Sequence, residues 1–228
     1  MMKSLSLFLT ITAGLFLFNE MNNPIEITKE SHDSFTLDPG LYHTSDEQNS
    51  LWMHQSLGNI AHTSYMPDSL EDGTPIIVAE SNRSASGLVV PIRANPEDFQ
   101  IIEWSWWIES VLEDGDLTRK DGDDYPARIY ITFDYPVSDL SFTDRVKYRA
   151  MRVFTSFDVP TRAINYIWAN KAEVNTIAPN PFSDWVQMIA VQSGNEIAGT
   201  WQHEKKNIFE DYRAAFGEDP PPSPEFRS

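Results

Sequence analysis

Gly122-Asp123-Asp124-Tyr125-Pro126-Ala127-Arg128-Ile129-Tyr130-Ile131-Thr132-Phe133 runs an acidic turn directly into a strand. From Arg128 onward polar and apolar residues alternate, which is the period of a half-buried strand. Arg128, Tyr130 and Thr132 therefore share one face, and Ile129, Ile131 and Phe133 share the other. Two carboxylates thus lie a few residues from an arginine fixed on a sheet. Such a cluster makes either a structural ion-pair network or the floor of a polar site, and the residues leave both open.

Strand signals recur around this stretch. Pro75–Glu80 and Ser86–Ile92 are apolar runs separated by the turn-forming Asn82-Arg83-Ser84. Ile102, Trp104, Trp106 and Ile108 alternate with Glu103, Ser105 and Trp107. Ile164–Trp168 and Trp185–Val191 complete the set, with Gly and Pro in the gaps. Many strands and few helices predict a mainly β chain, an antiparallel β-sandwich or jelly roll with one or two short helices. One helix is expected after Asn207, an N-cap followed by Glu210, with Gly217 as its stop and Pro220-Pro221-Pro222 beyond it. A second is expected over Thr143–Phe154, where Arg145, Lys147, Arg149 and Arg152 gather on a solvated, locally positive face.

Lys3 and the apolar run Leu5–Phe18 have the form of a secretory signal. The run is short for a membrane span. The expected organisation is a signal peptide over 1–20, a flexible segment over 21–50 and one domain over 51–228. Location is then periplasmic or secreted, without a stable membrane span once the signal is cleaved. A net charge of −17 argues against nucleic acid as a partner. The absence of cysteine excludes thiol catalysis and thiolate metal sites. Oligomeric state is not legible.

Candidate site residues follow from chemistry. Asp123, Asp124 and Arg128 form the polar cluster. Trp107 and Trp168 are candidate flat platforms for a ligand, since tryptophan presents large aromatic faces. Glu204 and Asp211 could pair as the two carboxylates of glycoside hydrolysis, as could Asp123 and Asp124. Glu204 could equally be a structural partner of Arg128, and Arg128 is expected to join the two groups at one sheet edge. The acidic loop from Glu113 to Asp124 is rich in oxygen ligands, so calcium is considered, although its spacing departs from the EF-hand pattern. The five histidines, His32, His43, His54, His62 and His203, show none of the spacings of a zinc site, and no metal site is expected. A glycan-binding module leads. A structural envelope protein without a small ligand and a polysaccharide-acting enzyme are the alternatives.

The ordered set Ser84-Ala85-Ser86-Gly87-Leu88, Trp104-x-Trp106, Gly122-Asp123-Asp124 with Ala127-Arg128, Asn165-Tyr166-Ile167-Trp168, Asn180-Pro181, Trp201 with Glu204, Asp211-Tyr212 and Phe216-Gly217 before prolines resembles the bacterial exported family called domain of unknown function 3047. The resemblance runs from about residue 75 to 222. It implies a bacterial envelope location and a β-rich fold, and no established activity. Members carry arginine after the glutamate where this chain has Lys205-Lys206. They also continue past the prolines into a closing strand, which this chain is expected to lack.

Overall fold

The computed structural model describes residues 2–3, 8–13, 25–30, 34–42, 51–57, 59–154 and 161–222. The described chain is mainly β. Its strands are β1 (Met2–Lys3), β2 (Phe8–Ala13), β3 (Ile25–Ile27), β4 (Phe35–Leu37), β5 (Met53–Ser56), β6 (Ser64–Ser69), β7 (Pro75–Ser81), β8 (Ser86–Val89) and β9 (Ile92–Ala94). They continue with β10 (Gln100–Trp106), β11 (Arg128–Phe133), β12 (Arg162–Ala169), β13 (Ile177–Asn180), β14 (Ser183–Ser193) and β15 (Gln202–Asn207). Two α-helices are described, α1 (Phe142–Phe154) and α2 (Ile208–Phe216).

Two four-stranded sheets, in the orders β15-β10-β2-β4 and β11-β12-β14-β13, build most of the core. The alternation read in β10 is realised, with Ile102, Trp104 and Trp106 all buried. Their rings meet the second sheet directly. The Trp104 ring stands 5.3 Å from that of Tyr166, and the Trp106 ring 5.9 Å from that of Trp168. Ile129, Ile131 and Phe133 of β11 and Ile189 and Val191 of β14 join the same core. Each such side chain contributes roughly 1.5–3 kcal/mol relative to exposure.

Antiparallel pairing throughout is corrected. β12 and β14 run parallel, as do β3 and β9. A parallel neighbour needs a crossover. Here the chain leaves β12, forms β13 at the sheet edge, and returns through the tight link Pro181-Phe182 as β14 between the two. The run Ser86–Ile92 is also two strands, broken at Val90-Pro91, because proline has no N–H for a ladder. The carbonyl of Pro91 instead accepts from the Ile25 amide at 2.9 Å.

The segment 21–50 contributes to the fold at its described residues. Ile27 and Leu37 are buried in the core, and β4 pairs with β2. The run read as an export signal supplies the backbone of β1 and β2, the latter beside β10. Residues 1, 4–7 and 14–20 of that segment lie outside the described residues. Among the described residues, no helix is long and apolar enough to cross a membrane.

Helix α2 forms as its sequence dictates. The Asn207 side chain accepts from the amides of Phe209 and Glu210, and Gly217 closes the helix at φ 75°, its N–H donating to the Arg213 carbonyl. Tyr212 then packs on Phe133 and Phe216 at 4.6 and 4.5 Å between rings. Helix α1 begins at Phe142, where Ser141 Oγ accepts the Asp144 amide and donates to its carboxylate.

Candidate functional site

The register of β11 against β12 fixes what lies behind the core. Arg128 stands opposite Ile167, Tyr130 opposite Asn165, and Thr132 opposite Ala163. Partners in a ladder point to the same side, so these six residues line the sheet face turned away from Trp168 and Tyr166. Met188 and Ala190 of β14 extend that face. Leu117 and Tyr125 cover part of it, packed with Ile167 and Met188 in a second, smaller cluster.

The acidic loop delivers Asp123 to this face. Its path is set by close approaches that exclude any Cβ. A Cβ at Gly115 would fall 1.7 Å from Asn170 Nδ2, and one at Gly122 would fall 2.8 Å from backbone atoms of Asp116. Asn170 is the latch. Its Nδ2 donates to the Asp124 carbonyl at 2.8 Å, and its Oδ1 accepts from the Leu112 amide at 2.9 Å.

Thus held, Asp123 meets Arg128 at 3.5 Å, and the guanidinium also donates to the Asp123 carbonyl at 3.3 Å and to the Tyr130 hydroxyl at 3.4 Å. The same guanidinium lies over the Tyr125 ring, 5.2 Å from its centre. Asn180, at the end of β13, donates to the other Asp123 oxygen at 3.1 Å. Its own Oδ1 accepts from the Phe182 amide at 2.9 Å, and this fixes the link in which the Phe182 ring stands 59% exposed. Lys120 lies over that ring. Asp124 is solvent-exposed at its surface, yet protein packed around its carboxyl pushes its pKa up by desolvation, while Arg128 opposes the rise and Asp123 adds to it.

Four residues on this side keep unused hydrogen-bonding capacity. Asn165 is fully buried, and neither its Oδ1 nor its Nδ2 has a partner. Thr132 Oγ1 and Tyr125 OH are likewise buried without a hydrogen-bond partner, and Asp123 Oδ1 has the Arg128 ion pair but no hydrogen bond. Each such group costs about 1–3 kcal/mol when left unsatisfied. Burial holds the Tyr125 hydroxyl firmly protonated, so it remains available as a donor.

Asp123, Asp124 and Arg128 are brought together as the sequence suggests. The other candidates are not. Trp168 is corrected: its ring is fully buried against Trp106, and its Nε1 donates to the Gly194 carbonyl at 3.0 Å. Trp107 follows β10, half-buried, on the opposite sheet. Glu204 is corrected as a partner of Arg128. It is buried on β15 and accepts from Trp106 Nε1 at 3.1 Å and Gln192 Nε2 at 2.9 Å. Asp211 accepts from the Tyr166 hydroxyl at 2.6 Å. Both carboxylates serve neutral donors on the core side of β12, whereas Arg128 points to the other side. Among the described residues, no three imidazole or carboxylate groups gather to hold a metal ion. In the acidic loop Asp116 instead accepts from the hydroxyl and amide of Thr118, which hold its carboxyl below the usual range.

Asn165 and Asn180 enter the sequence reading only as motif residues of the family resemblance and Phe182 not at all; none of the three is a candidate site residue there. The signal for the first was present: one amide side chain inside the otherwise apolar or aromatic run Ile164–Trp168.

Asp211 yields a pH prediction. Burial raises its pKa, the Tyr166 and Lys206 side chains oppose the rise, and Glu210 adds to it. The folded value thus lies above the unfolded one of about 3.9. Stability from this proton is fully present below that pH and is lost as pH rises through the folded value. Asp211→Asn keeps an acceptor for Tyr166 and removes the titration. Thermal melts from pH 3.5 to 7 should show a flatter pH dependence, with stability at pH 7 within about 1 kcal/mol of wild type.

A β-rich chain with a latched acidic loop and an under-satisfied polar sheet face defines the class of protein. The chain belongs to the family described as protein of unknown function (DUF3047), which it matches over residues 50–225. No curated protein and no solved structure matches it.

Proposed function

We propose that this is an exported, envelope-located binding protein whose β11–β12 face takes a neutral, hydroxyl-rich ligand, a saccharide of an envelope glycan. The observation that carries this reading is Asn165, fully buried with both amide atoms unpartnered, on the side of the sheet that also holds the unpartnered Thr132 Oγ1 and Tyr125 OH. A buried amide offering both donor and acceptor matches a hydroxyl, which also donates and accepts. The rim suits the apolar face of a sugar ring, because Phe182 and Tyr130 stand exposed on either side of Asp123 and Arg128. Tyr130 lies directly across from Asn165, and rotation of its side chain opens the amide to the ligand. The overall negative charge and Asp124 disfavour an anionic ligand. The scaffold in this reading is a sandwich, its two four-stranded sheets stacked through the Trp104, Trp106, Tyr166 and Trp168 rings.

A glycan array followed by titration calorimetry tests the proposal. Wild type should bind at least one neutral glycan. Phe182→Ala, which removes an exposed ring without touching the core, should weaken that binding roughly two- to tenfold, in line with an aromatic contact of about 0.5–1.5 kcal/mol. Wild-type affinity in the Phe182→Ala protein would remove this face from consideration.

A further inference from the structure

We propose that the β5–β8 ribbon carries a surface site for a borderline divalent transition-metal ion such as Zn2+, with His54 and His62 as its two protein ligands. The fold assembles what the sequence spacing conceals. His54 and Ser56 lie two positions apart on β5 and so share a face. Ser86 of β8 stands directly opposite Ser56. The segment before β6 is stitched back along β8, since the Ala85 amide donates to the Ala61 carbonyl at 2.9 Å and the Thr63 amide to Ser86 Oγ at 3.0 Å. That stitching brings His62 to the face of Ser56.

The two imidazoles then converge. His54 Nε2 is 3.0 Å from Ser86 Oγ, His62 Nε2 is 2.9 Å from Ser56 Oγ, and the ring centres are 4.5 Å apart. Both Nε2 atoms therefore address the hydroxyls of one cross-strand serine pair. Ser86 Oγ already accepts the Thr63 amide, which leaves its proton for His54 Nε2 and favours the tautomer bare at that nitrogen. A bare Nε2 is the form that ligates a metal. The ring of Tyr65 holds His54 edge-on at 5.8 Å and is itself anchored by its hydroxyl on the Ser86 carbonyl at 2.6 Å. Both histidines are exposed, so an ion reaches them from solvent. Two imidazoles at about 2.0–2.1 Å would leave the remaining positions of a tetrahedral ion to water, with Ser56 and Ser86 placed to hydrogen-bond it.

The test is calorimetric titration of tag-free, chelator-treated full chain with ZnCl2, with folding checked by circular dichroism. Wild type should bind one equivalent saturably. His54→Gln and His62→Gln should each weaken binding at least tenfold, and His203→Gln on β15 should leave it unchanged. Substoichiometric Cu2+ added to wild type, which needs no variant, should broaden the imidazole resonances of His54 and His62 before that of His203. The proposal is overturned by absence of saturable binding, by wild-type affinity in folded His54→Gln and His62→Gln proteins, or by broadening that spares these two histidines.

Discussion

Asn165→Leu is expected to make the protein more stable and, on the saccharide reading, to abolish glycan binding. The substitution removes two buried polar atoms that have no partner and leaves a side chain of similar size among Ala163, Ile167, Met188 and Tyr130. Relief of one or both unsatisfied groups is worth about 1–3 kcal/mol. At about 2–4 °C per kcal/mol for a domain of this size, the melting temperature should rise by several degrees. On the saccharide reading binding should fall for the same reason, because the ligand would lose a donor and an acceptor. A buried polar group kept at a cost to folding is one feature expected of a functional site. A drop in melting temperature would mean that Asn165 serves the fold, and unchanged glycan affinity would place the ligand elsewhere.

Glu204→Ala should bring the largest loss of stability. One oxygen of Glu204 accepts both the buried indole N–H of Trp106 and the Gln192 amide. Alanine leaves Trp106, which is at the centre of the core, with an unsatisfied donor, and also opens a cavity. The combined cost is about 2–4 kcal/mol, measurable as a shift of the urea midpoint without a change in slope. Glu204→Gln retains an acceptor oxygen and should recover most of that loss. An equal loss in both variants would show that charge rather than hydrogen bonding carries the effect.

Local pattern made much of the fold legible. The alternation of β10 and β11 gave their faces, and Asn207 and Gly217 gave both ends of α2. Pairing was less legible. The parallel β12–β14 neighbours depend on a crossover through β13, whose sequence Ile177-Ala178-Pro179-Asn180 carries a proline and no alternation. Half of the candidate site was visible for a related reason. Asp123, Asp124 and Arg128 are close in sequence, and a loop and a strand suffice to join them. Asn165 shows locally as a lone amide in an apolar run, but its place opposite Tyr130 comes only through register, and Asn180 and Phe182 join through a contact made 57 residues from Asp123 in sequence. Glu204 and Asp211 lie apart from Arg128, Glu204 because it serves Trp106 and Gln192, and Asp211 because residues one apart on β12 face opposite sides. Tyr166, which binds Asp211, and Ile167, which lies opposite Arg128, are adjacent in sequence and on different faces of the sheet.

The most direct test of the β11–β12 face is the side-chain amide resonance of Asn165 in a 1H–15N spectrum, titrated with the best neutral glycan from the array. The Asn165 Nδ2 protons should shift in proportion to saturation, together with the backbone amides of Tyr130 and Phe182. A glycan that binds while these three signals stay fixed, or an array without a neutral ligand, would contradict a saccharide site on this face.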